Sequence, residues 1–259
     1  MSAFRLHALT DPLCGLCQMI LSMEQEYNFA QVGMKEIVAN SLDSQALNVL
    51  IKFEMFDSGV GALVIADDGR GPIAEADANN INALPSLESF LDVIDLGHTV
   101  RLDDGRGIVK IGGFGIGLKK GVLGLGRDSV LATHNADKVF FALLSATLHE
   151  ELKTNGVQVT QIPWLVYDKQ TEQWEQSPGE VDYSEGFSAF DKYTAFQGAS
   201  GREEMVKKVL ERLPNKGGGF YIAVHKLKQG IDCVSVANDI KVPKKEWVRA
   251  GLVPVAQRS

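Results

Sequence analysis

Cysteine, proline and basic charge are all scarce in this chain. Its 259 residues include only three cysteines and eight prolines. Three thiols cannot build a disulfide framework at this length, and they fit a reducing compartment. No apolar run approaches the ~20 residues that a membrane-spanning helix needs. No basic-then-apolar leader opens the sequence either, so an intracellular protein without a membrane anchor is expected. Lysine and arginine number 26 against 33 acidic residues, and the net charge of −7 argues against the whole surface being a nucleic-acid footprint. Repeats and Pro/Ser-rich linkers are also missing, which favours one large domain, residues 1–230, with a short appendage. What the chain does have is 45% hydrophobic residues, enough for a substantial core.

The remaining charge is uneven. From Lys241 to Ser259 there are Lys241, Lys244, Lys245, Arg249 and Arg258 against Glu246 alone, which makes the 231–259 segment a basic tail on an otherwise acidic chain. Cys14 and Cys17 form a C-x-x-C. Zinc would need two more ligands, and only Cys233 and scattered histidines are on offer. The i, i+3 spacing puts both thiols on one apolar face of a helix predicted from Pro12 to Tyr27, where packing is the simpler role.

A second helix is expected from Phe29 to Ser44, then strands at Leu47–Phe56 and Gly61–Ala66 joined by Asp57-Ser-Gly59. Pro72–Leu96 reads as a helix in two pieces broken near Pro85, and Gly97–Gly107 as a loop. Strands follow at Ser129–Thr133, Lys138–Leu148 and Val157–Val166. Residues 168–201, acidic and turn-rich, read as a surface excursion. An amphipathic helix at Glu203–Leu213 and a strand at Phe220–Leu227 complete the pattern. Helices first and hairpin-like strands later predict an α+β fold with a mixed sheet covered on one face.

Three short stretches carry chemistry. In Lys35-Glu-Ile-Val-Ala-Asn40, Glu36 and Asn40 stand four apart on one helix face. A carboxylate there can take a proton from water, and a carboxamide oxygen suits Mg²⁺; the same pairing also occurs on ordinary solvated helices. In Ala66-Asp-Asp-Gly-Arg-Gly71, Asp67 ends an apolar strand, where it can accept from an exocyclic amine beside Gly69 and Gly71. An ordinary Asp-Gly turn is the rival reading, and the same letters recur at Asp103–Gly107. In Ile111-Gly-Gly-Phe-Gly-Ile-Gly-Leu-Lys-Lys-Gly-Val-Leu-Gly-Leu-Gly-Arg-Asp128, seven glycines lie between Gly112 and Gly126, interleaved with Lys119, Lys120 and Arg127. Backbone amides freed by glycine ahead of a helix suit phosphate. A packing turn would also use such glycines. A dinucleotide fingerprint does not fit, because the spacing is G-x-G-x-x-x-G, and no P-loop motif is present.

In this order, Glu36-x-x-x-Asn40, Asp67-x-Gly69-x-Gly71 and Gly112-x-x-Gly115-x-Gly117 resemble the GHKL ATPases, which include type II topoisomerases, MutL proteins, heat-shock chaperones and histidine kinases. Phe114 to Asp128 is most similar to the MORC branch, which has an FGxGLKSGSMRLGKD-type segment. Leu143–Thr147 and the glycine turn before Phe220 also fit that branch. The resemblance implies a Bergerat two-layer α+β sandwich, a mixed but mostly antiparallel sheet with helices on one face, its nucleotide motifs within residues 28–150, that binds ATP and Mg²⁺. It implies Glu36 as general base, Asn40 as metal ligand, and Asp67 with Gly69 and Gly71 at the adenine. Gly112, Gly113, Phe114, Gly115, Ile116, Gly117 and Leu118 would wrap the phosphates, with Lys119 adding charge. It further implies slow hydrolysis driving lid closure over the nucleotide by the Gly97–Gly107 loop, homodimerisation, and a nuclear setting with chromatin or DNA as partner. A switch with little turnover, or another GHKL branch, is the alternative. Four features depart from the family pattern: Ala39 stands where an aspartate is usual, Lys120 where a serine is usual, Gly217–Gly219 carry no threonine, and no stretch before Ser259 resembles the transducer region that supplies a lysine to the γ-phosphate.

Overall fold

The computed structural model describes residues 30–73, 77, 80, 82–94, 117–155, 162–177 and 186–228. The expected helix at 12–27, the Cys14/Cys17 pair, the 97–107 loop and the basic tail lie outside them. The first described element is helix α1 (Ala30–Asp43), followed by the hairpin β1 (Val49–Met55) and β2 (Gly61–Asp67). The hairpin register is unbroken from Val49 opposite Asp67 to Met55 opposite Gly61. Helix α2 (Leu87–Ile94) comes next. Its start is set by Ser86 and Ser89, which exchange bonds in the manner of a capping box, Ser89 N–H to Ser86 Oγ at 3.1 Å and Ser86 N–H to Ser89 Oγ at 2.9 Å. Of the helical piece expected before Pro85, residues 74–76, 78, 79 and 81 lie outside the described residues, Asp77 is in a 3-10 turn, and residues 71–73 and 82–86 are not helical.

Helix α3 (Gly117–Leu125) runs straight into β3 (Gly126–His134), which turns back as β4 (Lys138–Ser145). The expected strand to Leu148 ends early because Ser145 becomes an N-cap. Its backbone is extended (φ −134°, ψ 113°) and its hydroxyl accepts from Leu148 N–H at 2.9 Å. That cap starts helix α4 (Ala146–Thr154), which the sequence reading missed. Strands β5 (Trp164–Asp168) and β6 (Trp174–Gln176), helices α5 (Gly186–Tyr193) and α6 (Gly198–Arg212), and strand β7 (Gly218–Leu227) follow. Of the strand expected over Val157–Val166, residues 157–161 lie outside the described residues, and β5 begins at Trp164.

The seven strands form one open sheet in the order β1-β2-β7-β3-β4-β5-β6. Every pairing among the described residues is antiparallel, in keeping with the mostly antiparallel α+β sheet expected. The last strand closes the centre, slotting between β2 and β3. Central strands bury both faces, and their side chains alternate strictly between two cores. Leu63, Ile65, Leu131, Phe140, Ala142, Ile222 and Val224 face α1, α2 and α3. Ala62, Val64, Val130, Phe141, Tyr221 and Ala223 face α4, α5 and α6. Helices therefore cover both faces rather than one.

Residues 168–201 are no surface excursion throughout. Phe190 and Phe196 are wholly buried in the second core, with Ala189 and Ala195 beside them. Each such large apolar side chain contributes roughly 1.5–3 kcal/mol on burial. At the rim of this face, buried Glu54 of β1 binds Arg212 of α6 (Nη2 to Oε1, 2.6 Å), with Lys208 at 3.6 Å and Lys52 at 3.4 Å. Burial alone would raise the Glu54 carboxyl, but Arg212, Lys52 and Lys208 together hold it below its ordinary value.

Candidate functional site

Helix α1 lies against α3 with glycine facing glycine. A Cβ added to Gly33 would stand 2.5 Å from the Gly121 carbonyl oxygen, and one added to Gly121 would stand 2.8 Å from the Gly33 carbonyl oxygen. The two backbones touch, with no side-chain layer between them. One turn further along α1, the half-buried Glu36 is brought against the start of α3. A Cβ on Gly117 would sit 2.6 Å from Glu36 Oε2. The carboxylate thus meets the end of a nine-residue helix where free N–H groups and the positive end of its dipole collect. Asn40 follows one turn later, and its buried Nδ2 has no hydrogen-bond partner among the described residues.

The other end of the site is the mouth of β2. Asp67 is buried, 7% exposed, and both carboxylate oxygens are engaged. Oδ1 accepts from Gly69 N–H at 2.9 Å, and Oδ2 from the Ser41 hydroxyl at 2.8 Å. Burial raises the Asp67 carboxyl above its ordinary value, against the hydrogen bonds of Gly69 and Ser41, which lower it. Its neighbour Asp68 has a different task. It accepts from the backbone N–H of Leu47 (2.7 Å) and Asn48 (2.8 Å) and so ties the α1–β1 connection to β2.

Entry to β7 is made by Gly217, Gly218 and Gly219, all with positive φ (95°, 89° and 71°). Only glycine holds that path cheaply, and a Cβ on Gly219 would stand 2.5 Å from the Asp67 carbonyl oxygen. The missing threonine of this turn therefore has a backbone reason. Gly219 N–H donates to the Gly69 carbonyl at 2.7 Å, and the Thr133 hydroxyl donates to the Gly219 carbonyl at 2.7 Å. Thr133 lies where the β3–β7 register shifts between Ala132 and His134. Such irregularities re-aim side chains beside functional sites.

The structure thus brings Glu36 and Gly117 together at the α1–α3 contact, with Asn40 further along α1 and Leu118 and Lys119 next along α3, and it brings Asp67, Gly69 and Gly71 together at the mouth of β2. Lys119 is wholly buried. Gly112, Gly113, Phe114, Gly115 and Ile116 lie outside the described residues. Ser41 and Thr133 were not singled out from the sequence. For Ser41 the available signal was its place directly after Asn40, on a helix already carrying two candidate residues. For Thr133 there was none.

A family model described as histidine kinase-, DNA gyrase B- and HSP90-like ATPase matches residues 27–173, more than half of the chain. The chain belongs to this ATPase family. No curated protein matches it. The matched span holds α1 through β5 and both ends of the site, so the GHKL-type α+β fold follows from sequence and structure together. The central strand β7 lies beyond the match, yet it supplies the glycine turn that shapes the Asp67 end of the site. Members of this family are ATPase domains, so ATP is the ligand to test against the geometry. The residues present fit it. A buried carboxylate with acceptor capacity stands at one end, and a carboxamide whose Nδ2 has no partner among the described residues and a second carboxylate at a helix start stand at the other. Among the described residues no three His, Cys, Asp or Glu side chains gather to hold a metal. No helix among the described residues is long and apolar enough to cross a membrane.

Proposed function

We propose that this domain binds ATP with Mg²⁺ and hydrolyses it slowly. The observation that carries the reading is the position of α1. The same helix touches Asp67 through Ser41 and the start of α3 through Glu36, a rise of about 7.5 Å for five residues. Base recognition and phosphate chemistry are thereby set by a single rigid element.

In this reading Asp67 accepts from the exocyclic amine of adenine, in a recess bordered by Gly69 and Gly71. Asn40 turns its carboxamide oxygen toward Mg²⁺, which when bound neutralises phosphate charge. Glu36 takes a proton from the attacking water. Backbone N–H groups of Gly117 and Leu118, with those of residues 112–116, face the phosphates, and Lys119 adds positive charge. Catalysis is then mostly positioning and electrostatics, as in other phosphoryl transfers. The MORC-like ending of the glycine stretch extends the proposal to closure over the nucleotide and homodimerisation, in a nuclear, chromatin-associated setting.

Glu36→Ala tests the core of it. Phosphate release is expected to fall by at least two orders of magnitude, while a non-hydrolysable ATP analogue still binds in a calorimetric titration. Unchanged phosphate release in this variant would remove Glu36 as the base. A second reading, a nucleotide switch with little turnover, is favoured by the departures at Ala39 and Lys120. Full nucleotide binding with no measurable phosphate release in the wild type would select it.

A further inference from the structure

Ser41 has one hydroxyl proton and two acceptors within reach. Asp67 Oδ2 is at 2.8 Å and the carbonyl oxygen of Ile37, one turn back on α1, is at 3.3 Å. The shorter bond is also charge-assisted when Asp67 is ionised, so the proton goes to the carboxylate. Ser41 is 2% exposed, and no solvent competes for it. With Gly69 N–H on Oδ1 and Ser41 on Oδ2, neither carboxylate oxygen can turn without breaking a bond. The backbone N–H of Phe220 is also on this carboxylate, so the acceptor capacity left over is held in one fixed direction.

We infer that Ser41 is the residue that makes the site selective for a purine donating a hydrogen bond at position 6. The inference rests on the proposed reading of Asp67 as the base-recognition group. A fixed, ionised carboxylate accepts from a 6-amino group and has nothing to offer a 6-oxo group. A buried acceptor confronted by another acceptor is left unpaired, and sites built this way reject the mismatched analogue strongly. Without the Ser41 proton, Oδ2 loses its anchor, and the carboxylate is free to rotate toward other donors or to take up a proton itself. Either change reduces its value to an amine and removes the penalty against a ligand lacking one. Ser41 acts through Asp67 and is a positioning residue, not a catalytic one.

The test compares ATP with purine riboside triphosphate, which carries hydrogen in place of the amino group, by equilibrium titration against the full chain. Wild type is expected to prefer ATP. Ser41→Ala is expected to weaken ATP about tenfold and leave the analogue unchanged, so that the preference shrinks by the same factor. A variant that weakens both nucleotides equally shows a merely structural serine and overturns the inference, as does a preference left intact. Asp67→Asn is run beside it. Loss of the preference there with none in Ser41→Ala rejects Ser41 alone, whereas a wild-type preference in Asp67→Asn rejects the base-site reading itself.

Discussion

The two faces of the sheet are packed on different principles. On the α1–α3 face, backbone lies on backbone at Gly33 and Gly121, and polar groups are buried with room left for partners. Asn40 Nδ2 has no partner there among the described residues, and Asp67 retains acceptor capacity. The α4–α6 face is filled with rings. Phe56 meets Phe196 edge-on with centroids 4.7 Å apart, and Phe141, Trp174 and Phe187 continue the cluster. One face places groups to within hydrogen-bond tolerance, and the other holds the sheet rigid enough for that placement to mean something. Stability and function are thus largely separated across seven strands.

Truncating the ring-filled face gives the largest expected effect. Phe190→Ala removes a wholly buried ring from α5 and is expected to cost about 3–5 kcal/mol in urea unfolding. Nucleotide affinity of the folded protein should hold. A large loss of affinity at unchanged stability would break the division between faces.

Acid should act on the same face. Burial pushes His149 down to about 4, and His225, which lies against the Phe56 and Phe196 rings, to about 4 as well. Their folded values lie below the unfolded 6.5, so the unfolded chain takes up protons first. The stability they support is complete above 6.5 and is lost as pH falls toward 4. At pH 5 each histidine is expected to cost on the order of 2 kcal/mol. Urea midpoints measured at pH 7 and pH 5 check this, and equal midpoints would contradict it.

Gly33→Ala sharpens the contrast from the other side. The added methyl meets the Gly121 carbonyl, and overpacking of this kind costs about 1–3 kcal/mol. Here the loss of nucleotide affinity should exceed what the stability change explains, because α1 must shift. Calorimetric titration of the folded variant measures it. Smallest is Ser145→Ala, which removes the cap of α4 and is expected to cost about 1 kcal/mol in a thermal melt with nucleotide binding untouched.

Much of the site face was legible in sequence, and much of the far face was not, for identifiable reasons. Glu36/Asn40 spacing and the Asp67 turn are local patterns, and α1, β1 and β2 fall within two residues of expectation. The second helical layer was written in the continuous apolar runs Gly61–Ala66 and Val139–Leu144. A strand with water on one side alternates, and these do not. Helix α5 was hidden because the acidic, turn-rich composition around it outweighed its Phe187, Phe190 and Tyr193 spacing. The bond from Ser41 to Asp67 spans 26 residues of sequence, and that from Thr133 to Gly219 spans 86. Neither leaves a local trace.

The meeting of Gly33 and Gly121 also limits how this sequence can drift. When two side chains collide after a substitution, a smaller residue on the opposite side usually restores the fit. Here each partner is already the smallest residue there is, so no exchange at 121 can rescue a larger residue at 33, or the reverse. Relief can come only from moving a whole helix, and α1 carries Glu36, Asn40 and Ser41 along with it. Suppressors of either substitution should therefore map to the residues that seat α1 on the sheet, such as Met34 and Ile37, and not to the opposing glycine.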